Sequence, residues 1–193
     1  MNKMHPDISR ILIPSDRLAA RVRELGAQIT ADYHDRSLCL IAILRGAVIF
    51  TADLMRSIDR PMTVDFMAVS SYGAGTVTSG AVRILKDLNA DIAGLHVLIV
   101  EDVLDTGLTL RYLKENLLQR DPASLRICVM FDKPERRRVD IKADYVGFTI
   151  PDAFVVGYGL DYNERYRNLP YAGVLSPRVY APMESAGDEA RHK

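Results

Sequence analysis

The chain has 193 residues, 48% hydrophobic and 26% charged, with Lys+Arg and Asp+Glu equal at 25 each. That length suits one domain able to bury a substantial core without metal or disulfide staples. Balanced charge argues against a general nucleic-acid or membrane-surface binder. The opening residues lack an apolar signal core and no apolar run approaches membrane-spanning length, so a cytoplasmic protein is expected.

Ser15 to His34 carries apolar residues at Leu18, Val22, Leu25, Ile29 and Tyr33, a helical stripe with Ser15 as N-cap. Leu38 to Leu44 is a continuous apolar run, the pattern of a strand buried on both faces. Gly46 through Ile58 reads as a helix, and Val64 to Val69 alternates like a strand. SSYGAGTVTSGAV follows, rich in Gly, Ser and Thr, before a returning strand at Val82 to Leu85. Its composition fits either a surface excursion or a β-hairpin lid.

His96 to Val100 is the next buried strand and Thr106 to Leu118 the helix after it. Leu125 to Phe131, Tyr145 to Ile150 and Phe154 to Tyr158 read as further strands. Alternating strands and helices predict an α/β fold with a mainly parallel twisted sheet flanked by helices. Residues 1–175 are expected to form one domain and 176–193 a partly ordered tail. Cys39 and Cys128 sit inside apolar strand-like runs and read as buried thiols. The four histidines show no metal-ligand spacing.

In such a sheet ligands bind beyond the carboxyl ends of the strands. Three segments should meet there: the turns after Leu44 and Val100, and the region from Phe154 to Asp161. The stretch VLIVEDVLDTGLTL, Val97 to Leu110, poses a puzzle. Asp105-Thr106-Gly107-Leu108-Thr109 would aim backbone N–H groups and two hydroxyls at one phosphate, yet Glu101, Asp102 and Asp105 ring it with negative charge. An N-capped helix explains the turn equally well. The acids make sense beside a phosphate if the ligand also brings a vicinal diol, as in ribose, and a magnesium ion. Leu44-Arg45-Gly46 would form a second anion cup, with Arg45 as a charged donor. Phe154 suits either core packing or stacking on a heterocycle, and Lys133 can donate to an oxo group. The Arg136-Arg137-Arg138 run reads as a solvated loop.

Together these motifs resemble the purine phosphoribosyltransferase family, specifically its hypoxanthine-guanine type. VLIVEDVLDTGLTL resembles the phosphoribosyl-pyrophosphate motif, ILRGAVIF the pyrophosphate loop and SSYG the start of the flexible lid. DKP and IPDAFVVGYGLDYNERYRNLP resemble the base-binding hood. The similarity spans roughly Ile11 to Leu175. It implies transfer of a 5-phosphoribosyl group from phosphoribosyl pyrophosphate to hypoxanthine or guanine, giving IMP or GMP and pyrophosphate, with Mg2+ as cofactor and a homodimer or homotetramer as the assembly.

By that resemblance Asp105 is the general base, and the Asp105 to Thr109 backbone holds the 5-phosphate. Glu101 and Asp102 hold the ribose hydroxyls directly or through magnesium. Leu44, Arg45, Gly46 and Arg167 bind pyrophosphate, and Ser71 and Tyr72 close over it. Lys133 reads the 6-oxo group, Phe154 stacks on the purine, the Val155 backbone meets its edge, and Asp161 lies by the purine and ligates magnesium. The resemblance also suggests a strained peptide joining Leu44 and Arg45, of which a cis bond is one form. Two positions depart from some members: Leu108 stands where lysine can occur, and Arg45 where lysine is frequent. Xanthine and adenine are the competing acceptors, and Lys133 argues against adenine, whose amino group cannot accept its hydrogen bond. A nucleotide- and RNA-binding regulator of the same fold would need a basic face, which neutral charge does not favour.

Overall fold

A computed structural model describes residues 4–71 and 82–181. Tyr72 and the expected lid tip lie outside the described residues, as does the chain after residue 181. The elements in order are β1 (Ile8–Ile13), α1 (Ser15–Asp32), β2 (Leu38–Leu44), α2 (Val48–Met55), β3 (Met62–Ser71), β4 (Val82–Lys86), β5 (His96–Leu104) and α3 (Leu108–Leu118). Then come β6 (Ser124–Asp132), a 3-10 turn η1 (Pro134–Arg136), β7 (Tyr145–Thr149), β8 (Val155–Val156), β9 (Ala172–Leu175) and α4 (Pro177–Tyr180).

The main sheet has six strands in the order β4-β3-β2-β5-β6-β7, parallel except where β4 pairs with β3. This is the expected α/β architecture. Its apolar strands serve two cores because neighbouring side chains point to opposite faces. Leu38 and Leu40 of β2 join Leu18, Val22, Leu25 and Ile29 of α1 and Phe50 and Leu54 of α2 on one face. Cys39, Ile41 and Ile43 join Leu110, Leu113 and Leu117 of α3 on the other. Full burial of each such aliphatic side chain contributes roughly 1.5–3 kcal/mol. Both cysteines are free and buried, as their apolar surroundings predict.

After β3 the chain returns across the sheet, so β5 lies on the opposite side of β2. The carboxyl ends of β2 and β5 therefore flank the point where the winding reverses, the crevice in which such sheets bind ligands. A second sheet, β1-β9-β8, is antiparallel and forms the hood. Neither β1 nor β9 is predicted from periodicity: β1 exposes its middle residues, and β9 is a short AGVL run.

Several boundaries differ from the sequence reading. Ser15 is the first residue of α1 and Pro14 the N-cap. Helix α2 begins at Val48, because residues 45–47 make the turn after β2 and Ala47 N–H bonds back to the Ile43 carbonyl. Strand β8 is only two residues long because Gly157 and Tyr158 take positive φ values (95° and 50°) and turn the chain away. No helix among the described residues is long and apolar enough to cross a membrane.

Candidate active site

Strand β5 does not end at Val100. Its ladder with β6 continues to the pair Leu104–Asp132, so Glu101 and Asp102 stand in the strand and not on the turn. Burial drives both carboxyl groups toward the neutral form. For Glu101 the adjacent Asp102 charge adds to the effect and takes it well above its ordinary range. Asp102 is pushed up to about 6 by burial, against the opposing pull of a hydrogen bond from Val103 N–H and of the Arg167 charge. Two desolvated acids side by side call for a cation or hydroxyl donors.

The β5–α3 loop ends at Gly107, whose φ of 83° admits glycine most readily and stops the helix from starting at Thr106. Gly107 is the N-cap and no side chain caps the helix. The first-turn N–H groups, including those of Leu108 and Thr109, thus lack intrahelical acceptors and face the loop. Thr106 Oγ1 makes only a long 3.5 Å contact with Leu108 N–H. Anion binding by this turn suits its open amides better than a side-chain cap does.

The arginine run is only in part a solvated loop: Arg136 and Arg138 are exposed, but Arg137 is packed in. Arg137 donates to the carbonyls of Leu104 (3.1 Å) and Asp105 (2.5 Å) and pairs with Asp132. Arg138 N–H bonds to the Thr106 carbonyl at 3.0 Å, and Lys133 N–H to the Leu104 carbonyl at 3.0 Å. Arg136 Nε lies 2.6 Å from Asp105 Oδ1, a charge contact outside aligned hydrogen-bond geometry, and its Nη1 is 3.3 Å from Asp152. The segment after β6 therefore clamps the Asp105 loop from outside. Only a three-dimensional pairing of its charge with acids from β6 and the loop reveals this, and nothing local in the sequence signals it.

Beside this loop is a cleft of about 410 Å³ lined by Asp102, Asp105, Lys133, Phe154, Val155, Leu160 and Asp161, among others. Lys133 is half-buried and its Nζ donates to the Ala153 carbonyl at 2.7 Å. Burial lowers its pKa, although the Asp105 charge opposes that shift. Phe154 lies just ahead of β8 and is 40% exposed. Its ring stacks on Tyr180 of α4 with centroids 5.0 Å apart and planes 21° apart, while Tyr162 meets it edge-on. Tyr180 falls in the stretch read as a partly ordered tail, so this contact had no sequence signal.

The peptide joining Leu44 and Arg45 is cis. Gly46 is pressed between Asp102 and the hood: a Cβ there would overlap the Asp102 carboxylate, and one on Gly159 would overlap the Gly46 carbonyl. Glycine at both places lets the β2–α2 turn, strand β5 and the hood meet. Arg167 donates to the Gly159 carbonyl at 2.9 Å and pairs with Asp161 at 2.9 Å. Arg45 pairs with Glu164 at 2.8 Å. Burial raises the Glu164 pKa slightly, but the Arg167 hydrogen bond and the Arg45 and Arg167 charges outweigh it and leave the group below the ordinary glutamate range. Ser71 is the last residue of β3, opposite Val82 of the edge strand β4.

Among the described residues no set of three His, Cys, Asp or Glu side chains is arranged to cage a metal. Magnesium does not require one. It keeps near-octahedral oxygen ligation and commonly takes one or two carboxylates, with substrate phosphates and water completing the shell. The half-buried neighbours Glu101 and Asp102, with Asp161 lining the same cleft as Asp102, fit that partial role by donor chemistry.

Residues 13–163 match the model of the phosphoribosyl transferase domain. The chain is 53% identical over 177 residues to the hypoxanthine-guanine phosphoribosyltransferase of Bacillus subtilis, covering 92% of this chain and 98% of that protein. It is 54% identical over 180 residues to the enzyme of the same name from Mycobacterium tuberculosis, covering 90% and 89%. It also matches the bifunctional protein TilS/HprT of Listeria innocua at 52% identity, spanning 28% of that longer protein. A crystal structure of a hypoxanthine phosphoribosyltransferase from Staphylococcus aureus superposes with a TM-score of 0.90 at 49% identity, covering 94% of this chain and 99% of that one.

Proposed function

The chain belongs to the phosphoribosyltransferase family, in its hypoxanthine-guanine branch, and from that premise we propose that it makes IMP and GMP from phosphoribosyl pyrophosphate and the free purines. An imidazole nitrogen of the purine forms a bond to the anomeric carbon as the bond to pyrophosphate breaks. Positive charge develops on the ribose and negative charge on the leaving group, so the site must stabilise both.

Asp105 takes the imidazole proton. The open amides of the Gly107 turn receive the 5-phosphate, and Glu101 and Asp102 accept from the ribose hydroxyls. Magnesium, when bound, offsets the charge of these acids and of the phosphates. Arg45, Arg167 and the Leu44–Gly46 turn receive pyrophosphate, and Asp161 would be a ligand for magnesium. Lys133 donates to the 6-oxo group, Phe154 stacks on the ring, and Val155 meets its edge. A homodimer or homotetramer is the proposed assembly, measured by sedimentation velocity.

The observation that carries this reading is a single cleft lined by Asp102, Asp105, Lys133, Phe154 and Asp161, which brings acids, a cationic donor and an aromatic ring to one place. Its test is a panel of hypoxanthine, guanine, xanthine and adenine with phosphoribosyl pyrophosphate, with and without magnesium. Magnesium-dependent IMP and GMP formation is expected, with adenine inert. Turnover of adenine in preference to hypoxanthine, or no nucleotide from any purine, overturns it.

A further inference from the structure

One hood carboxylate holds both arginines assigned above to pyrophosphate. Glu164 Oε2 lies 2.8 Å from Nη1 of Arg45 and 3.4 Å from Nη2 of Arg167. A single oxygen thus stands between two guanidinium groups that reach it from different segments, the β2–α2 turn and the hood. Arg167 is also fixed without Glu164, through Asp161 and the Gly159 carbonyl. Arg45, 72% exposed, has no other acidic partner among the described residues. The turn that presents Glu164 has a φ of 61° there, and Glu164 N–H donates to Asp161 Oδ2 at 2.9 Å.

We infer that Glu164 is a built-in stand-in for a pyrophosphate oxygen: it occupies Arg45 and Arg167 while the cleft is empty, yields them to incoming phosphates, and reclaims them as pyrophosphate leaves. The inference rests on the pyrophosphate role proposed for these two arginines. The Glu164 carboxylate and the Arg45 guanidinium are both exposed, while Arg167 is partly buried at a longer 3.4 Å, so a single shared oxygen makes a weak tie that solvent screens. A diphosphate brings more charge and paired oxygens to each fork, so it displaces the carboxylate readily. The returning carboxylate then competes with departing product, a step that limits turnover in many enzymes. It also penalises smaller anions such as orthophosphate, which cannot engage both arginines so well.

The test is calorimetric titration of magnesium pyrophosphate into the wild-type protein and into E164Q and E164N, at low and high salt. Asparagine tolerates a positive φ and is too short to span both guanidinium groups. Both variants should bind pyrophosphate tighter by about three- to tenfold, a gain that shrinks at high salt. Pyrophosphate inhibition of IMP formation should strengthen by the same factor. A residue that merely braced the hood would produce no gain in affinity. Unchanged or weaker binding in both variants overturns the stand-in role. R167Q separates the two ideas. If it leaves wild-type pyrophosphate affinity intact, the assignment of pyrophosphate to these arginines fails. If it abolishes binding while the Glu164 variants do not tighten, only the stand-in fails.

Discussion

At the scale of single residues, Asp105 and Asp102 are both acids at the cleft, yet their environments differ. Asp105 has the Arg136 guanidinium against its carboxylate, whereas Asp102 is desolvated among other acids. Asp105→Asn keeps the shape but removes the proton acceptor, so kcat should fall about 10²- to 10⁴-fold while phosphoribosyl-pyrophosphate binding, read by calorimetry, stays within a few-fold. Asp102 predicts a pH effect of defined sign. Its folded-state pKa is raised to about 6, so the folded chain holds the proton more tightly than the unfolded chain does. The stability it contributes is full below the unfolded pKa and is lost as pH rises through about 6. Asp102→Asn should therefore have a higher Tm than wild type above pH 7, a difference that narrows below pH 6 and closes only as pH falls to the unfolded aspartate range near 4. Magnesium-dependent substrate affinity should move the other way in the wild type, falling as pH drops through about 6. Parallel Tm curves for the two proteins would contradict this. The acids and the glycine turn were legible in the sequence because they are contiguous. Glu164 and Arg136 were not, since what makes each matter is a charge far away in sequence.

At the scale of elements, η1 and the residues after it brace the β5–α3 loop. Arg137 is the main strut, with three acceptors and a side chain only 18% exposed. Arg137→Ala leaves two carbonyls and the largely buried Asp132 without this donor and should destabilise the fold by roughly 2–3 kcal/mol. Urea midpoints would measure that loss, and kcat should fall at least tenfold because the Asp105 carbonyl is no longer held. Arg137→Lys should recover little of either, since an ammonium lacks the planar fork that reaches several acceptors. A mutant with wild-type stability and turnover would show the strut to be dispensable. Element types read well from the sequence wherever apolar periodicity was strong, as in α1, β2 and α3. Their ends read less well because tertiary ladders and glycine geometry set them: β6 extends β5, and Gly107 delays α3. The hood strands β1 and β9 escaped because an edge strand and a four-residue run carry little pattern of their own.

At the scale of the whole molecule, strand order divides the labour. On the proposed assignment the large parallel sheet supplies the ribose and phosphate side of the cleft, and the small antiparallel sheet much of the purine side. The parallel sheet followed from alternating strands and helices, and its winding reversal gives the crevice a physical reason. That the hood draws on both ends of the described chain was invisible, because register pairs such as Ile8–Leu175 link residues that share no local pattern.

That pairing sets an order of events during synthesis. Strand β1 has no mate until β9 has been made, after every strand of the larger sheet, so it must wait while that layer assembles from nearer neighbours. In refolding experiments, hypoxanthine capture should lag behind recovery of far-ultraviolet ellipticity, and simultaneous recovery would refute the sequence of steps. A nascent molecule in that interval would grip sugar phosphate before it could tell one nucleobase from another.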